Sequence, residues 1–179
     1  GYLHFGLRLE SDFDHTATWA ALLNYSRRQL NPLGGEIQVD LEGGTDQNIN
    51  LEWFQPLNYA STLFMAPGVN YRSDMLYIYS NDTRIAEYER IEESVALDVG
   101  SQFYNWGEVR GGVYYGHLTG KPKIGAETLP NTDEKISALT AVLTLDRLDD
   151  AVFATQGFYV DGRGFFASDK WGGDSTYNK

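Results

Sequence analysis

From Gly35 the chain reads Gly-Glu-Ile-Gln-Val-Asp-Leu-Glu-Gly, and its apolar and polar residues alternate without exception. Ile37, Val39 and Leu41 fall on one side, with Glu36, Gln38, Asp40 and Glu42 on the other. A period of two is the signature of a strand with unlike faces. The next run repeats it, with Ile49, Leu51 and Trp53 against Asn50, Glu52 and Phe54. Leu3, Phe5, Leu7 and Leu9 alternate in the same way with His4, Gly6, Arg8 and Glu10, and Val95, Leu97 and Val99 with Ala96, Asp98 and Gly100. Val109 to Tyr115 and Phe158 to Phe166 continue the pattern.

Turn chemistry separates these runs. Asn31-Pro32-Leu33-Gly34-Gly35, Gly43-Gly44-Thr45-Asp46-Gln47, Gln55-Pro56-Leu57-Asn58 and Asn105-Trp106-Gly107 all read as breaks. The spacing predicts about nine strands, over 2–10, 17–28, 35–43, 48–55, 60–79, 84–103, 107–118, 135–147 and 157–168. Residues 82–93 are charged and fit either a helix or a long exposed strand, and 120–134 read as a polar loop. Several strands exceed the usual length of ~5–6 residues and suit the ~9–11 tilted residues that cross a bilayer. Short connections (31–35, 55–60, 104–107) are expected to alternate with longer ones (10–17, 118–134), as in an outer-membrane barrel. Aromatics near strand ends (Trp19, Trp53, Phe54, Tyr59, Phe103, Tyr104, Trp106, Phe153 and Phe158) suggest an interfacial girdle.

Composition sharpens this picture. The 179 residues carry 25 acidic and 14 basic side chains, for a net charge of −11, which argues against a nucleic-acid partner. Cys is absent, which removes disulfide frameworks and thiolate chemistry. No run of ~18 apolar residues predicts a transmembrane helix. The opening Gly1-Tyr2-Leu3-His4 has no basic segment of a signal peptide and reads as an excised piece of something longer.

Candidate chemistry is sparse, and the expectation is no catalytic, cofactor-binding or metal-binding residue. His4, His15 and His117 have no ligand spacing. Asp12, Asp14 and His15 with Asp46 lack the regular oxygens of a calcium loop. Asp146, Asp149 and Asp150 around Arg147 read as an ion-pair network in a turn, and no Gly-x-Ser-x-Gly elbow is present. The polar faces supply lumen-facing candidates: Glu36, Asp40, Glu42, Glu52, Asp98, Glu108, Arg110, Asp161 and Arg163. The apolar faces supply lipid-facing ones: Ile37, Val39, Leu41, Ile49, Leu51, Trp53, Val95, Leu97 and Val99. Arg110 is expected to pair with Glu108 or Asp98.

Several motifs carry a resemblance. Leu30-Asn31-Pro32-Leu33-Gly34-Gly35-Glu36, then Phe54-Gln55-Pro56-Leu57 and Ala66-Pro67-Gly68, resemble the C-terminal barrel of bacterial surface-antigen proteins. Within that superfamily they are similar to the patatin-like phospholipase autotransporters of the type V secretion class. Asn105-Trp106-Gly107-Glu108-Val109-Arg110 is similar to that family's Trp-Gly-Glu-Leu-Arg step. Leu145-Asp146-Arg147-Leu148 with Phe153-Ala154-Thr155-Gln156-Gly157 resembles the superfamily's Leu-Asp…Phe-Pro-Thr-x-Gly turn, with Ala154 in place of Pro. Val109-Arg110-Gly111 matches part of a Val-Arg-Gly-aromatic loop, but Gly112 stands where the aromatic belongs.

The resemblance implies an all-β, antiparallel transmembrane barrel of sixteen strands, with residues 1–179 as one segment forming its N-terminal half. It implies a non-catalytic translocator and anchor in the outer membrane of a Gram-negative cell. The patatin lipase and periplasmic POTRA domains of such proteins are absent from these residues. The implied partners are the lipid bilayer, the rest of the barrel, the N-terminal passenger and POTRA domains and the barrel-assembly machinery, with a second copy left open. The competing reading is a soluble antiparallel β-sandwich or small barrel that binds a ligand or partner, its apolar faces meeting in a shared core.

Overall fold

A computed structural model of the chain describes residues 1–11, 17–80, 83–104, 106–124, 131–148, 155–174 and 177–178. They form an all-β fold. The strands are β1 (Tyr2–Ser11), β2 (Ala17–Arg27), β3 (Glu36–Gly44), β4 (Gln47–Pro56), β5 (Leu63–Ser80), β6 (Thr83–Gln102), β7 (Gly107–Ile124), β8 (Thr132–Asp146), β9 (Tyr159–Ala167) and the short β10 (Tyr177–Asn178). Each pairs antiparallel with its sequence neighbours, in the order β1 to β10. The sheet is open: β1 and β9 do not pair with each other.

The charged stretch 82–93 is strand. Thr83 to Glu93 belong to β6 and pair with β5 through Ser80 to Tyr71. The expected loop over 120–134 is shorter than the polar sequence suggested, because β7 runs to Ile124 and β8 begins at Thr132. The short and long connections do not alternate as expected. β3 and β4 meet in a tight turn at 45–46, while β8 and β9 are separated by 147–158.

Local chemistry explains the turns. In the β2–β3 turn, the Asn31 carboxamide oxygen accepts from the Leu33 and Gly35 amides at 3.0 and 3.1 Å. Its nitrogen donates to the Gln55 side-chain oxygen at the end of β4 at 2.6 Å. Two motifs far apart in sequence thus form one corner. After β8, Gly157 has φ of +112° and lies against the Arg147 carbonyl, where no larger residue fits.

Register sorts every strand into two faces. One row runs Leu3, Tyr25, Val39, Leu51, Val69, Val95 and Tyr115. The row beside it on the opposite face runs His4, Asn24, Asp40, Asn50, Asn70 and Ser94. The apolar face is the more exposed of the two. Apolar-face residues stand open, with Leu7 at 82 %, Val99 at 56 % and Val95 at 52 % exposure. The fully buried side chains Phe64 and Pro56 lie on the polar face, and so do Ala66 and Ala138. The apolar rows do not meet one another across a dry interior.

The polar face is concave. Its side chains touch across intervening strands: Thr140 of β8 donates to Asp98 of β6 at 3.2 Å, and Tyr114 of β7 meets Phe165 of β9 edge-on at 5.4 Å. Gly112 makes the first of these possible, since a Cβ on the intervening strand would collide with the Asp98 carboxylate.

Candidate functional site

The concave wall gathers most of the polar chemistry, and Arg110 is its hub. Its Nε donates to Glu108 Oε1 at 2.6 Å. Its Nη1 lies 3.8 Å from Asp98 Oδ2 and 3.7 Å from Glu52 Oε2. The guanidinium also sits 5.3 Å from the Phe64 ring centre, and Phe64 packs on Phe54 at 4.7 Å. Gln102 donates to the second Glu108 oxygen at 3.2 Å. This group borders a concave cavity of about 540 Å³, also lined by Arg28, Glu36 and Phe54. Arg28 pairs with Glu36 at 3.3 Å.

Asp40 is held differently. Asn24, Gln38 and Asn50 donate side-chain N–H groups to it, the last two at 3.1 and 3.4 Å. These donors are neutral, so they satisfy the carboxylate without cancelling its charge. Nearby, Arg8 of β1 reaches over β2 to pair with Glu42 of β3. At the other side of the sheet, Arg163 donates to Asp161 at 3.0 Å and Thr144 donates to the same carboxylate at 3.1 Å.

All nine lumen-facing candidates lie on the concave face: Glu36, Asp40, Glu42, Glu52, Asp98, Glu108, Arg110, Asp161 and Arg163. Glu52, Asp98, Glu108 and Arg110 come together, Glu36, Glu42 and Asp161 with Arg163 form separate ion pairs, and Asp40 is held by amide groups. Arg110 engages both expected partners and Glu52 besides. Sequence reading missed Phe64, Gln102, Tyr114 and Thr140, because their contributions depend on neighbours brought in by register. Phe54 departs from the proposed girdle. It lies on the concave side against Phe64, whereas Trp19, Trp53, Tyr59, Tyr104 and Phe158 are exposed. Phe103 stacks on Trp106 at 5.4 Å, and Phe153 lies outside the described residues.

The remaining clusters are modest. Asp12, Asp14, His15, Asp149 and Asp150 lie outside the described residues. Arg147 sits over the Trp106 ring at 5.4 Å, and Asp146 accepts from the Leu148 amide at 3.1 Å. His117 pairs with Asp133 at 2.8 Å on the opposite face from Arg110. Among the described residues no three metal-ligating side chains converge.

The convex face carries Ile37, Val39, Leu41, Ile49, Leu51, Trp53, Val95, Leu97 and Val99 in adjacent rows. Val113, Leu139 and Phe166 extend those rows across the later strands. The apolar band runs diagonally. On β1 it covers Leu3 to Leu9, on β6 Val95 to Val99, and from Phe158, just before β9, to Phe166 within it. The row containing Phe5 has become Glu93, His117 and Lys135 by β6 to β8. Across the nine main strands the band shifts by about nine residues, roughly 30 Å along the strands against roughly 38 Å across them. That slope corresponds to roughly 40° between the strands and the normal to the band.

Compared with models of known protein families and with characterised proteins, the chain matches none of them.

Proposed function

We propose that this chain is the lipid-embedded wall of an outer-membrane β-barrel, its convex rows in hydrocarbon and its concave rows in water. The observation that carries the reading is the exposed, diagonal apolar band. A membrane-spanning strand tilts by ~35–45°, so a slab of hydrocarbon crosses the strands at this slope. The same slab gives Leu, Val and Ile a reason to stand outward while charged groups pair on the inside. Antiparallel pairing satisfies the backbone N–H and C=O groups that lipid cannot.

The resemblance of the Asn31, Gln55 and Trp106 motifs extends the proposal. The wall serves as translocator and anchor for a patatin-like phospholipase passenger and contributes no catalytic group itself. Its open edges are completed by further strands of the same barrel. The bilayer and the barrel-assembly machinery are the partners this role needs.

The test is flotation of the purified chain with phosphatidylcholine vesicles, combined with tryptophan quenching by lipids brominated along the acyl chain. The expected result is co-flotation and strong quenching of Trp53. A chain that stays monomeric in detergent-free buffer and does not float would overturn the proposal.

A further inference from the structure

We infer that the concave wall favours small monovalent cations over anions in the water path that it lines. The inference rests on the lipid-embedded reading above and adds what the wetted side lets through. Within the height of the apolar band, the concave side presents Asp40, Glu42, Glu52, Asp98, Glu108 and Asp161 against Arg8, Arg72, Arg110 and Arg163. Each of these arginines is already engaged by at least one carboxylate. Arg110 alone faces Glu52, Asp98 and Glu108. Among the described strand residues no lysine lies on this side: Lys121, Lys123 and Lys135 occupy the opposite parity of β7 and β8.

The wall therefore keeps a negative surplus that no side chain on the same face neutralises among the described residues. Asp40 is its clearest expression, a carboxylate fixed by three amide groups and, among the described residues, by no cation. Fixed carboxylates along a watery passage raise the local concentration of cations and exclude anions. The effect is a long-range field and calls for no cation-binding site.

The experiment incorporates the barrel completed by the further strands proposed above into planar bilayers of neutral phosphatidylcholine and reads the reversal potential in a tenfold KCl gradient. A potassium-to-chloride permeability ratio of about three or more is expected at low salt. The ratio should fall toward one at molar salt, as the screening length shrinks from ~10 Å to ~3 Å. Asp40→Asn should lower the low-salt ratio about twofold, and Asp40→Lys should lower it further. The salt series on the unaltered chain carries the test if these variants fail to insert. A ratio at or below one at low salt, or one that Asp40→Asn leaves unchanged, overturns the inference. A completed barrel that floats with vesicles but passes no current overturns it too, while the lipid-embedded reading stands. A chain that does not enter lipid overturns both.

Discussion

Arg110 of β7 and Glu52 of β4 lie 3.7 Å apart although two strands run between them. On a flat sheet their backbones would be separated by three interstrand steps across and four residues along the strands, ~19 Å in all. The pair closes over β5 and β6 because the wall bends toward its polar side, and it helps to hold that bend. Replacing Arg110 with Gln leaves Glu52, Asp98 and Glu108 facing one another without a counter-charge. The expected loss is about 1.5–3 kcal/mol of unfolding free energy, measured by urea titration in vesicles. The loss should shrink in the Glu52→Gln background, because the two side chains share one network.

Neighbouring glycines on opposite faces offer a sharper comparison. A methyl group at Gly112 meets the Asp98 carboxylate, whereas one at Gly111 finds only the Thr140 carbonyl at 3.6 Å. Gly112→Ala should cost about 1–3 kcal/mol and weaken the Asp98–Thr140 hydrogen bond. Gly111→Ala should be nearly neutral. Equal costs for the two would show that the curvature does not depend on that close approach.

The convex face can be probed for the medium it meets. Leu97 lies in the middle of the apolar band on β6 and is exposed. If hydrocarbon covers it, Leu97→Arg should lower stability in vesicles by about 2–4 kcal/mol. A change within about 0.5 kcal/mol is what a water-facing site would give, and it would count against the membrane reading.

The corner between β2 and β4 makes a fourth case. Asn31→Ala removes the acceptor of the Leu33 and Gly35 amides and the donor to Gln55. The half-buried turn should lose about 1–3 kcal/mol. Amide exchange should quicken at Gly35 first, before the strands on either side.

Much of the architecture was legible because side chains on a strand alternate strictly, so Ile37, Val39 and Leu41 announce their face directly. The reading weakened where the band ends. On β6 the positions that continue the row of Val95 and Leu97 are Glu93, Ile91, Glu89 and Glu87, and without apolar alternation the stretch passed equally for a helix. The same loss of contrast hid the outer ends of β7 and β8 inside an expected loop. The hub around Arg110 was half legible. Glu108 and Asp98 are close in sequence or in the adjacent strand, but Glu52 comes into reach only through curvature, which no local pattern encodes.

The diagonal course of the band also governs how the wall can be completed. Going from β1 to β9 is like following a screw thread: each strand sets the apolar stretch about one residue lower. A strand that docks along the free side of β1 must arrive at the pitch that keeps its own greasy residues level with Leu3 to Leu9. A slip of a single residue would turn its faces inside out, and a slip of two would lift its band out of line with the neighbour's. The thread thus acts as a built-in gauge that rejects misaligned joins before any loop or partner is consulted.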